Sequence, residues 1–249
     1  MRLRSPGLAL LPLLLLAPAA VRAEEAPSKA AIEATVRDLL RREPELVYQA
    51  LQTLQERQEA EARTRQTEAV KALKQPLVGD ARDPVLGNPE GGVTLVEFFD
   101  YRCGYCRSMV PDLERLVDGH EDLRFVMKEF PILGPDSLLG AKAALAAKAQ
   151  GAYALFHAAL MRASRIDDAL IEKLARDNGL DLARLKADMD GDAIRTHLQE
   201  NMVLAQSLGI GGTPAFVLGD RLLPGAVPEE ELARLVEAER AGGPAAAPN

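Results

Sequence analysis

Cysteine is scarce in this 249-residue chain: there are two, Cys103 and Cys106. Two cannot build a disulfide framework, so the fold must be held by its core. Histidine is nearly as rare. His120, His157 and His197 lie far from the cysteines in sequence, and there is no second Cys-x-x-Cys, so the pair lacks the remaining ligands of a structural zinc site. Positive charge is also in deficit, with 30 basic against 37 acidic side chains and a formal charge of −7. That balance removes the long-range field that draws in nucleic acid or anionic lipid, and no nucleic-acid partner is expected. Finally, no apolar run is long enough to span a bilayer. The longest, Leu8 to Val21, has 14 residues and is interrupted by Pro12 and Pro18, where a span needs about 20.

What that run does fit is a cleaved export signal over residues 1–23. Arg2 and Arg4 precede it, and Val21-Arg22-Ala23 supplies the cleavage site before Glu24. No cysteine stands near that site, which disfavours a lipid anchor. The mature product is an exported acidic protein, and in a bacterial setting its compartment is the periplasm, where disulfides form and persist. With 47% hydrophobic and 27% charged residues over its full 249 residues, the sequence is that of an ordinary globular chain.

Its character changes near residue 76. Ile32, Val36, Leu39 and Leu40 recur at helical spacing, and after Pro44 the stripe resumes at Val47, Ala50, Leu51 and Leu54. Two amphipathic helices are predicted, broken at Glu43-Pro44, because proline suits a first helical position and not an interior one. From Gln55 to Glu68 the sequence QERQEAEARTRQTE has helix formers and no apolar face, the composition of a solvated rod. Residues 24–75 therefore read as a helical segment and linker whose short stripe needs partners, either the rest of the chain or other copies. Self-association is the expected outcome.

Leu77 to Glu90, LVGDARDPVLGNPE, reads as an entry turn. A second domain over residues 76–241 follows. Val93 to Phe99 is a strand candidate running into DYRCGYCRSMVPDLERLV, a helix with Met109, Leu113, Leu116 and Val117 on one face, and Leu123 to Phe130 gives a second strand. An alanine- and leucine-rich block over about 135–209 predicts four or five helices, with breaks at Gly151, Ser164, Asn178-Gly179 and Gly191. GTPAFVLGD and RLLPG then offer two short strands, Glu229 to Arg240 a closing helix, and 242–249 a disordered tail.

The chemistry follows from the position of the cysteines. Cys103 falls at the start of a helix, where unpaired N–H groups and the helix dipole favour a thiolate. It is the expected nucleophile. Cys106, one turn on and expected to be the more buried, can attack a mixed disulfide on Cys103 and release the substrate. An inert disulfide is a poor alternative, because so small a loop gains little by closure. Copper(I) is a second possible use of the two thiolates, with Met109 nearby. No organic cofactor or other metal is expected. Glu97, on the strand before Cys103, shares a face with Leu95 and Phe99 by alternation, and an acid pointing into a core needs a purpose. Lys128 on the second strand could balance it or be solvated.

The order of FFDYRCGYCR, KEFPILGP and GTPAFVLGD resembles the DsbA-type thioredoxin-fold proteins of the bacterial periplasm over about residues 85–240. DLLRREPELVYQALQTLQ resembles the N-terminal oligomerisation segment of the suppressor-of-copper-sensitivity C (ScsC-like) disulfide isomerases. The resemblance implies an α/β thioredoxin fold with an inserted helical domain, preceded by an α-helical oligomerisation segment. It implies that Pro214, after Thr213, is cis and faces the cysteine pair, and that Glu97 relays the proton of Cys106. Gly104-Tyr105 and Thr213 are more similar to the isomerases and reductases of this superfamily than to its strong oxidases. Two function classes result. One is a thiol–disulfide oxidoreductase, an isomerase or reductase with a DsbA-type oxidase as alternative, kept reduced by a membrane partner and acting on misfolded or oxidised exported proteins. The other is a copper-binding module using the same thiols without turnover. A trimer is implied by the resemblance alone.

Overall fold

A computed structural model describes residues 26–242, so the expected signal segment, and all but the first residue of the expected tail, lie outside the described residues. The chain divides into two compact units, with the boundary between Glu56 and Arg57.

In the first unit Ser28 caps α1 (Lys29–Arg42) by accepting from the Ala31 N–H, and Arg41 and Arg42 occupy the last turn, where the helix dipole favours cations. Pro44 separates it from α2, which starts at Glu45 and continues to Ala72. No residue of α1 is buried, and Ile32, Val36, Leu39, Leu40, Val47, Leu51 and Leu54 are all exposed.

The second unit is built on one five-stranded sheet of order β1-β3-β2-β4-β5, comprising β1 (Val85–Gly87), β2 (Val93–Phe99), β3 (Leu123–Glu129), β4 (Ala215–Leu218) and β5 (Arg221–Pro224). β2 and β3 are parallel, and parallel neighbours need a crossover; α4 (Gly104–Gly119) supplies it. The other pairings are antiparallel. Alternation along β2 sends Leu95 and Phe99 into one core with Met109, Leu113 and Leu116 of α4 and Leu232, Leu235 and Val236 of α10 (Glu229–Arg240). Val96 and Phe98 point the other way, into a second core with Leu204, Ala205 and Leu208. Five helices fill the stretch between β3 and β4: α5 (Pro135–Lys148), α6 (Tyr153–Arg162), α7 (Asp168–Asp177), α8 (Leu182–Met189) and α9 (Asp192–Ser207).

The segment expected to be an entry turn is more ordered than its composition suggested. Leu77 lies in the short helix α3 (Lys74–Val78), and Val85–Gly87 is the edge strand β1, paired with β3. Val70, near the end of α2, is 1% exposed and joins Leu77 in the second core. Packing therefore reaches back into residues that carried too few apolar side chains to announce a buried face.

Candidate active site

β2 runs into the site through Asp100, whose carboxylate sets the local geometry. Its Oδ1 accepts from the Arg102 N–H at 2.7 Å and the Ser137 hydroxyl at 2.7 Å, and its Oδ2 accepts from the N–H groups of Ile132 and Leu133 at 2.8 and 2.9 Å. One buried carboxylate thus ties the end of β2 to the chain after β3 and to α5, and four hydrogen bonds offset the cost of burying it. Arg102 and Arg107 reach from the cysteine segment to the end of α6, donating to the carbonyls of Ser164 and of Met161 and Ala163.

Cys103 is the N-cap of α4, and its Sγ accepts from the Cys106 N–H at 3.3 Å. Both cysteines are free thiols. Just ahead of β4 the Thr213 carbonyl accepts from the Cys103 thiol at 3.2 Å, and the Thr213-Pro214 bond is cis. Four of the five expected site residues therefore converge on one sulfur pair, although 107 positions separate Cys106 from Thr213. Cys103 is 5% exposed and Cys106 0%, while Tyr105 between them is 70% exposed.

Glu97 is the fifth. It lies in β2 opposite Met127 and Phe216, on the Leu95 and Phe99 face that α4 covers, and its Oε1 has no hydrogen-bond partner. Burial alone pushes its pKa from 4.5 up to about 8. It shares a cavity of about 360 Å³ with Cys106 and His157, walled by apolar side chains such as Val110, Leu113 and Phe125. Burial and the Glu97 charge together hold the Cys106 thiol far above its ordinary pKa. A carboxyl whose pKa burial raises and a thiol that resists ionisation thus face the same cavity.

Lys128 does neither of the two things expected of it. Its register partner is Phe98, not Glu97, so strand alternation sends it to the opposite face, where it donates to Asp83 and, at 2.6 Å, to the Pro76 carbonyl. Met109 is buried in the core. The sequence also hid a buried polar cluster beside the site. Glu129 Oε1 accepts from the hydroxyls of Tyr101 and Tyr153 at 2.8 and 2.9 Å, and Tyr101 lies 3.2 Å from His157 Nδ1. Burial raises Glu129 to about 8 and lowers His157 to about 4. Nothing in spacing links positions 101, 129, 153 and 157.

Comparison with known proteins agrees with this geometry. Residues 94–237 match the DSBA-like thioredoxin domain, and residues 29–61 match the N-terminal domain of the copper resistance protein ScsC. A thioredoxin-like oxidoreductase from Silicibacter pomeroyi is 45% identical, covering 68% of this chain and 98% of its own, with a TM-score of 0.65. A linker-deletion mutant of Proteus mirabilis ScsC is 31% identical, covering 88% of this chain and 100% of its own, with a TM-score of 0.70. An Na(+)/H(+) antiporter NhaA from Herminiimonas arsenicoxydans is 28% identical over 68% of this chain, which spans only 27% of that protein's length. Among the described residues no helix is long and apolar enough to cross a membrane. With a matching profile over more than half its length and a dithiol at the head of α4, the chain belongs to the DsbA-like thioredoxin-domain family of thiol–disulfide oxidoreductase domains, and it carries an ScsC-type N-terminal segment.

Proposed function

We propose that the protein is a periplasmic disulfide isomerase and reductase in which Cys103 attacks, Cys106 resolves and Glu97 carries the proton. The observation that supports this most is the unequal placement of the two sulfurs. Cys103 caps the start of α4 and its Sγ accepts an N–H there, whereas Cys106 is fully buried and lines a cavity beside a buried acid. The Cys103 thiolate attacks one sulfur of a substrate disulfide, forming a mixed disulfide and expelling the other sulfur as a thiolate. Isomerisation follows when a different substrate thiolate attacks the substrate sulfur of the mixed disulfide, forming a new substrate disulfide and expelling the Cys103 thiolate. Reduction follows when ionised Glu97 takes the proton of Cys106, whose sulfur then attacks Cys103 and releases the second substrate thiol.

Two features favour isomerisation over net oxidation. Gly104-Tyr105 and Thr213 are similar to the isomerases of the superfamily, and the ScsC-type segment presents an exposed apolar stripe suited to self-association. Several dithiols in one particle would hold a misfolded exported chain while it is reshuffled. A trimer and a membrane reductase that returns the pair to dithiols complete this reading. Insulin reduction together with refolding of scrambled ribonuclease tests it: both activities are expected of the mature protein, and neither of Cys103→Ala. Net oxidation without reshuffling would assign the protein to the DsbA-type oxidases instead. A second reading rests on the match to a copper resistance protein: the reduced pair takes up copper(I) through Cys103 and Cys106. Copper-loaded protein with no turnover in either assay would favour it.

A further inference from the structure

The strongest unexplained arrangement outside the dithiol site lies where α9 meets the chain between α3 and β1. α9 places His197 and Glu200 three residues apart, on neighbouring positions of one helix face. The facing segment carries Asp80, Arg82 and Asp83. His197 is only 3% exposed, yet neither of its ring nitrogens makes a hydrogen bond. Its Nδ1 lies 3.7 Å from Asp80 Oδ2, and its Nε2 lies 3.2 Å from Asp83 Oδ1. One ligand atom each from Asp80, His197 and Glu200 can be chosen so that all lie within 4.8 Å of one another.

We propose that Asp80, His197 and Glu200 bind one divalent transition-metal ion of the zinc type, with a fourth position left to water. Donors about 2.0–2.2 Å from a tetrahedral ion stand roughly 3.4 Å apart, so the 3.7 Å between Asp80 and His197 needs little adjustment. The surroundings match what such a site requires. A ligating histidine usually donates its other N–H to a carboxylate, which fixes the ring and its tautomer. Asp83 is placed to accept from Nε2, and its second oxygen is held by the buried Lys128. Two carboxylates and a neutral imidazole then balance a divalent charge, and oxygen and nitrogen donors without thiolate suit zinc, cobalt or nickel.

Arg82 marks the cation position. Its Nη2 lies 2.6 Å from Asp80 Oδ2 and 2.5 Å from Glu200 Oε2, so both carboxylates already converge on one positive group. Because the Arg82 side chain is about half exposed, it can swing into solvent when an ion takes its place. Arginine is thus a competitor for the site, which makes the proposal directional.

Zinc chloride titrated by calorimetry into the full mature protein tests this, with Cys103 and Cys106 first oxidised to a disulfide so that no thiolate competes. One ion per chain is expected at neutral pH, and cobalt(II) should give visible d–d bands of four-coordinate intensity without thiolate charge transfer. Glu200→Gln, at an exposed position, should weaken binding by tenfold or more, on the order of the loss expected for a ligand or its partner. His197→Ala should abolish it, and Arg82→Gln should tighten it. Absence of saturable binding up to millimolar zinc overturns the proposal, as does binding that Glu200→Gln leaves unchanged or that Arg82→Gln weakens.

Discussion

Glu97→Gln isolates the buried acid, because it keeps the shape of the side chain and removes its titration. Glu97 is 1% exposed, and burial raises its pKa from 4.5 to about 8. Between those values the folded protein holds a proton that the unfolded chain has released. The folded state therefore binds more protons than the unfolded state, and this group's contribution to stability falls as pH rises through the window. At about 1.4 kcal/mol per pH unit, keeping the proton at pH 7 costs the fold roughly 3 kcal/mol. Glutamine is neutral in both states and escapes that cost, although its amide brings two donors into a cavity with few acceptors. The variant should therefore be more stable than the parent by roughly 2 kcal/mol at pH 7, and the advantage should vanish below about pH 4.5. Urea unfolding of both reduced proteins from pH 4.5 to 8 measures the difference. Parallel pH profiles would refute the raised pKa of Glu97. Activity should move the opposite way, with slower resolution of mixed disulfides by Cys106, since glutamine cannot accept its proton.

Limited iodoacetamide labelling of the reduced protein, read by mass spectrometry, should modify Cys103 before Cys106, since only Cys103 retains any exposure and Cys106 is held protonated; preferential label on Cys106 would reverse their roles. Lys128→Met should destabilise the protein by about 3–5 kcal/mol, because it removes the cation that holds Asp83 Oδ2 in the core. Adding Asp83→Asn should recover part of that loss in the same urea assay. Deleting residues 24–56, and so sparing Val70 in the core, should give a monomer by light scattering that still reduces insulin but no longer refolds scrambled ribonuclease. A full-length mature protein that is monomeric at micromolar concentration would remove the case for self-association.

Much of this protein was legible in its sequence, because the signals were local. Val93 to Phe99 alternates two faces in one short run, and β2 has those bounds. Glu229 to Arg240 opens with three glutamates and ends in arginine, and α10 has those bounds as well. The Cys-x-x-Cys spacing at a helix start placed the two sulfurs one turn apart, and alternation alone put Glu97 among core side chains. What stayed hidden depends on contacts between positions far apart in the chain. Val85–Gly87 is a strand only because β3 offers it an edge, in a stretch where proline, glycine and aspartate suggest a turn. Register decided Lys128: a one-residue offset from the position opposite Glu97 sends it to the other face of the sheet and to Asp83. The same holds for His197, set between Asp80 and Asp83, and for Glu129, held by Tyr101 and Tyr153. Periodicity reports which face of an element is buried, whereas the identity of a buried polar side chain's partner is set by how elements pack across the core, and that is a property of the tertiary structure.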